Sequence, residues 1–392
     1  MNPSFASLTV LRSAPLAAFA ALAFATTALP SPALAQYKQT NLVSNVPGLA
    51  TITDPRLVNP WGMAQTGASP FWTSNQGTNS STLYGVTGGT NVTQVLGVNA
   101  NGFVGIPTTA TGPQGPTGQV ANTNAGSFLV GGASSRFIFA NLNGTISGWT
   151  PGALTSSIQA TTPGAVYTGL AINAAGTRLY AADSAGAKIN AFDSTFAPIT
   201  LAGSFSDPTL PSGIVPFNVQ DIGGKVYVTY APAGLAAQRA AMPGAGFVSV
   251  FDENGAFLQR LISGSQLAAP WALALAPAGF GPFGGDLLVG NFSFASSVIN
   301  AFDPVTGAFQ GAIPIDVGVG NTPGGLWGLM FGSGAGNGGD ANTLYFLNGI
   351  NGETAGLFAA VTAVPEPEIL SLLGLGLGAV VWRRRRPGPA GR

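Results

Sequence analysis

The chain has 392 residues, of which 46% are hydrophobic and only 7% charged, and its formal net charge is zero. It contains no cysteine and no histidine, which excludes disulfide staples, a Ser-His-Asp triad, a histidine general base and histidine-ligated zinc. Neutrality hides a basic tail: residues 36–363 hold eight Lys/Arg against twelve Asp/Glu with no basic stripe, which argues against a nucleic-acid partner.

Residues 1–35 have the pattern of a secretory signal peptide. Arg12 precedes an apolar run from Ala14 to Leu29, and Ala33-Leu34-Ala35 forms a small-residue site, so cleavage is expected between Ala35 and Gln36. The body, residues 36–363, opens with a strand-like segment, Gln36 to Val43. Its abundant glycine and proline suit many short strands joined by tight turns rather than a disordered low-complexity chain.

From Pro60 onward the body repeats at intervals of about 50 residues, the signature of a propeller or solenoid. One unit runs Gly169 to Ile172, Arg178 to Asp183, then Lys188 to Asp193, three β-rich segments separated by Gly, Asn and Asp turns. The same grammar recurs in five further units, and the six begin near Trp61, Gly118, Gly169, Phe217, Trp271 and Trp327. Six such units predict an all-β, six-bladed propeller of four-stranded blades. The first five leave room for an outer strand, such as Pro198 to Gly203, whereas the last ends at Val361. The N-terminal strand is therefore predicted to serve as the outer strand of the last blade, which closes the ring and removes an open edge.

Several residues could carry chemistry. The second strand of most units ends in Asn75, Asn141, Asp183, Asn291 or Asn348. Together they could form a polar ring near one mouth of the channel, or each could close its own turn, and the turn role is favoured. Trp61, Trp271 and Trp327 open inner strands and could stack on sugar rings, although filling the core between blades explains them with less. Asp54, Arg56, Asp207 and Asp316 lie in loops leading into inner strands. The possible ligand face therefore comprises Asp54, Arg56, Asn59, Trp61, Asn75, Asp183, Trp271, Asn291 and Trp327. No catalytic residue and no metal ligand set emerges, and the body's only glutamates, Glu253 and Glu353, sit beside turn glycines.

The last segment has three parts in fixed order. Val364-Pro365-Glu366-Pro367 is extended and blocks helix entry, Ile369 to Trp382 is an uncharged apolar run, and Arg383, Arg384, Arg385 and Arg386 form a basic stop. The run is shorter than the roughly 20 residues of a permanent span. This arrangement resembles the PEP-CTERM sorting signal, also catalogued as the ice-binding-protein C-terminal domain, of exported proteins of Gram-negative bacteria. The resemblance implies recognition by an exosortase, a transient or permanent stay in the inner membrane as a short helix over 369–382, and delivery to the cell surface or extracellular matrix. The blade grammar resembles NHL-type propellers. Asp54 to Gly62 and Pro116 to Val120 look like a family of exported, often PEP-CTERM-tagged propellers, a likeness that says nothing about a reaction.

Two functions follow as expectations. The first is a non-enzymatic surface or matrix scaffold that binds a partner such as an extracellular polysaccharide, with no cofactor. The alternative is a divalent-metal hydrolase resembling six-bladed lactonases, with Ca²⁺ held by oxygens such as those of Asn75, Asp183 and Asn291.

Overall fold

The computed structural model describes residues 36–96, 101–264 and 266–364. The expected signal peptide, with Ala35, and the sorting tail from Pro365 onward, including the Arg383 to Arg386 cluster, lie outside the described residues. Among the described residues, no helix is long and apolar enough to cross a membrane.

The body is a six-bladed β-propeller. The inner strands are Pro60–Ala64, Pro116–Ala121, Tyr167–Ile172, Ile214–Ile222, Pro270–Leu275 and Leu326–Phe331, which define blades 1 to 6. Each blade is an antiparallel sheet whose strands follow in chain order from the axis outward, apart from blade 6, where Ile52–Thr53 adds a short parallel pairing at the outside. In blade 6 the outer strand is the N-terminal Tyr37–Ser44, which pairs antiparallel with the last strand, Leu357–Ala363, from Tyr37 opposite Ala363 to Ser44 opposite Leu357. The predicted strand exchange is therefore present. Tyr37 strengthens it, donating its hydroxyl to the Phe280 carbonyl (3.0 Å) and lying against the rings of Phe280 and Phe283 of blade 5.

Two outer strands differ from expectation. In blade 1 the outer position is shared by Asn91–Gln94 and Phe103–Gly105, which pair with successive halves of Ser80–Thr87. In blade 3 only Pro198–Ile199 of the expected 198–203 strand pairs. The chain then peels away because blade 4 offers better partners: Gly203 and Phe205 donate their N–H groups to the carbonyls of Asn254 (2.8 Å) and Gly255 (3.0 Å).

All six inner strands carry a β-bulge at the same place. Pro60, Pro116, Tyr167, Pro270 and Leu326 face the last residue of the second strand, Pro216 faces Tyr230 two residues before that strand's end, and one extra residue follows before pairing resumes. A bulge re-aims the side chain at the inserted position. That position falls at Trp61, Thr117, Thr168, Phe217, Trp271 and Trp327. The next residue is glycine in four blades, because the inner strand of the neighbouring blade passes close by: a Cβ at Gly118 would sit 2.2 Å from the Leu170 nitrogen. Asn218, at the same position in blade 4, instead reaches into blade 5 and donates to the Trp271 carbonyl (2.8 Å).

Candidate functional site

The bulges build a plug at the hub. Trp61 stacks on Trp327 with ring centroids 3.5 Å apart, Trp271 meets both edge-on, and Phe217 and Phe292 pack around Trp327. All five are buried. The small Thr117 and Thr168 of blades 2 and 3 leave the space these rings occupy, and the Trp271 indole reaches across to donate to the Thr168 carbonyl (2.8 Å). Such edge-on and offset contacts suit the aromatic quadrupole.

Beyond the plug, the end where the inner strands begin is also tied by polar groups. The Trp327 indole donates to Asn59 Oδ1 (2.9 Å), and Asn59 Nδ2 donates to Gln76 Oε1 (2.8 Å) and Glu353 Oε1 (3.2 Å). Glu353 forms an ion pair with Arg239, whose short helix, Leu235–Arg239, also lies near Phe294. Burial pushes the Glu353 carboxyl above its ordinary value, although the Arg239 guanidinium and the Asn59 amide favour its charged form. Asn59 and Glu353 both hold left-handed backbone, φ 45° and 69°, a conformation that non-glycine residues adopt at a cost.

The opposite end of the axis is open. A cavity of about 250 Å³ is lined by all six inner strands, from Gly62 and Gly118 near the plug to Gln65, Asp221 and Met330 at the rim. Trp271 contributes to its wall. The polar residues of the wall are tied to the surrounding blades: Gln65 Nε2 donates to the Phe331 carbonyl (3.1 Å), and Asp221 Oδ1 accepts from the Gly224 N–H (3.2 Å) with Glu253 beside it. Gln119 is only 5% exposed, and its Oε1 already accepts from Ser74 Oγ (2.9 Å). Burial raises the Asp221 carboxyl; the Gly224 N–H opposes this shift and the neighbouring Glu253 carboxylate adds to it. No Lys or Arg lines the cavity.

The residues of the expected ligand face are placed as follows. Asn75, Asp183 and Asn291 are buried at the ends of second strands. Asn75 bonds Thr73 and Thr82, Asp183 Oδ1 accepts from the Val166 and Gly186 N–H groups, and Asn291 bonds the Ala268 N–H and the Gln266 carbonyl. Each therefore ties its own blade, and the three do not converge as oxygen ligands. Asp54 is buried and accepts from the Tyr84 hydroxyl (2.7 Å) and Gln94 Nε2 (2.8 Å), while Arg56 lies 3.5 Å over the Phe103 ring. Asn59, Trp61, Trp271 and Trp327 belong to the hub seal. Outside that set, Asp207 is held by Ser249 and Arg260, and exposed Asp316 accepts from the Gly318 N–H. Among the described residues, no three His, Cys, Asp or Glu side chains cluster as metal ligands.

Gln65, Gln119, Gln76 and Arg239 escaped notice in the sequence, and Glu353 was read only as a residue beside a turn glycine. Aligning the six inner strands on their bulges would have exposed the first two, since Gln65, Gln119, Asn218 and Asp221 interrupt otherwise small or apolar columns. The contacts of Arg239 with Glu353 link parts of the chain with no sequence signal in common.

Residues 363–386 match the PEP-CTERM protein-sorting motif, which implies exosortase-dependent sorting, and motif and fold together fit an exported propeller protein. Kuenenia stuttgartiensis hydrazine synthase resembles the chain at 16% identity with a TM-score of 0.46, over 77% of this chain and 76% of its own, too distant to bear on chemistry. Two proteins of Acanthamoeba polyphaga mimivirus are closer in sequence. Uncharacterized protein R648 is 33% identical over 70% of this chain and 68% of its own length, and uncharacterized protein L690 is 31% identical over 70% and 73%. The chain belongs to the same family as these two mimivirus proteins.

Proposed function

We propose that this protein is an exported, non-enzymatic binding scaffold, sorted by an exosortase and displayed at the cell surface or in the extracellular matrix. The observation that carries this reading is the placement of the two junctions flanking the body. The Val364 N–H donates to the Gln36 carbonyl (2.9 Å), and Tyr37 pairs with Ala363, so the expected signal-peptide junction and the sorting motif meet at one corner of blade 6. The strand exchange that closes the ring uses only Tyr37–Ser44 and Leu357–Ala363. Trimming on either side of those limits spares every ladder bond, so a folded ring can pass through both processing events. A closed ring with no free edge between its first and last strands is also suited to display without self-association.

Fractionation of the producing cell tests the proposal. The native chain should be found outside the cytoplasm in a form shortened at its C-terminus, and replacing Pro365-Glu366-Pro367 by alanines should leave it unprocessed in the membrane fraction. Identical processing and distribution of the two forms would refute exosortase sorting.

A further inference from the structure

Cleavage after Ala33-Leu34-Ala35 would place Gln36 at the amino terminus. The fold holds this residue by one side only. Its carbonyl accepts the Val364 N–H (2.9 Å), and the ladder that closes the ring starts at the next residue, with Tyr37 opposite Ala363. Gln36 is exposed, and among the described residues no hydrogen bond engages its side-chain amide. An amine freed here has that amide within reach and nothing competing for it. Closing a five-membered ring between them uses only N, Cα, Cβ, Cγ and Cδ, so the carbonyl stays bonded to Val364 while the ring forms. Two groups on one side chain meet without a bimolecular encounter. An α-amine has a pKa of roughly 7.7–8.0, well below that of lysine, so part of it is unprotonated and nucleophilic at neutral pH.

We infer that Gln36 is a modification site: after cleavage its α-amine attacks its own carboxamide, and the mature protein begins with pyroglutamate. The N–Cδ bond forms as the Cδ–Nε2 bond breaks, one amine proton passes to Nε2, and ammonia leaves. No oxidant, reductant or water is consumed. The product is an uncharged lactam with no free amine. Its value lies in the strand that starts one residue later. An aminopeptidase, which needs a free α-amine, would remove Gln36 and then Tyr37. Losing Tyr37 deletes its pairing with Ala363, its hydroxyl bond to the Phe280 carbonyl (3.0 Å), the bond it accepts from the Phe283 N–H (2.9 Å) and its contacts with both rings. The lactam therefore guards the strand exchange that closes the ring. This inference rests on the export proposal, since the amine exists only once the chain is cut between Ala35 and Gln36.

Reductive dimethylation of free amines on the protein purified from the producing cell, followed by digestion and peptide mass spectrometry, tests it. The comparison is Q36N, whose shorter side chain would have to close a strained four-membered ring. The native N-terminal peptide should begin at residue 36, weigh one ammonia less than the unmodified sequence and carry no label on its α-nitrogen. The Q36N peptide should begin at the same residue and be labelled there. An aminopeptidase should shorten folded Q36N and leave the native chain intact. If Q36N is not cleaved by the cell, the native peptide decides the matter alone. A labelled Gln36, or native protein trimmed as fast as Q36N, would overturn the inference and leave the export proposal standing. A mature chain that begins at any other residue would also overturn it, and one that retains residues 1–35 would take the export proposal with it.

Discussion

The two ends of the propeller axis are built from the same six strands yet solve opposite problems. At the end where the inner strands begin, the bulges turn Trp61, Trp271, Trp327 and Phe217 inward, and Asn59, Gln76, Glu353 and Arg239 tie the surrounding loops together. At the other end the same strands leave a cavity of about 250 Å³, lined by apolar side chains such as Ile172, Leu273 and Met330 beside Gln65, Gln119 and Asp221. One end is filled by packed rings and tied by hydrogen bonds, and the other leaves space along the axis.

The largest effect should come from the sealed end. W327A removes a fully buried ring that touches four aromatic neighbours and should destabilise the fold by about 3–5 kcal/mol, measured by denaturant unfolding. A loss near that of an exposed residue would mean the plug is not packed as described. An intermediate effect is expected for R239A, which leaves the nearly buried Glu353 without its cation. Because Arg239 is itself substantially exposed, about 1–2 kcal/mol is expected, and adding E353Q should restore part of it in a double-mutant cycle. Additive single effects would show that the two charges are not coupled.

The open end should respond weakly and with the opposite sign. Burial raises the Asp221 carboxyl above 3.8, its ordinary value. The folded state therefore favours the neutral acid, and stability is lost as pH rises from below that value through the raised one. D221N should leave stability unchanged near pH 3 and raise it by about 0.5 kcal/mol at neutral pH, a small figure because the group is partly solvated. A variant less stable than the native chain at neutral pH would contradict the view that Asp221 is held at a cost.

Much of the ring was legible in the sequence because each blade repeats a local grammar. The apolar second strands, the turn residues and the unit lacking an outer strand sufficed to predict six blades and the use of an N-terminal strand, expected over Gln36 to Val43, as the outer strand of the last blade. The register of the inner strands was harder. Unit starts at Gly118 and Gly169 stand one residue beyond Thr117 and Thr168, the true equivalents of Trp61, because a bulge leaves no periodic trace when its residue is small. The site was less legible still. Asn75, Asp183 and Asn291 are polar and periodic, which marks them out in the sequence, but their hydrogen bonds stay within their own blades. Gln65, Gln119 and Asp221 gain meaning only when six strands from across the chain are brought around one axis.

The chain's lack of cysteine allows the contrast between the two ends to be measured directly by thiol labelling of two single-cysteine variants, T168C at the plug and Q220C at the rim of the open cavity. The account predicts that Q220C reacts with a soluble disulfide reagent nearly as fast as a free thiol, while T168C reacts only through unfolding, orders of magnitude more slowly. Comparable rates at the two positions, or faster labelling of T168C, would contradict it.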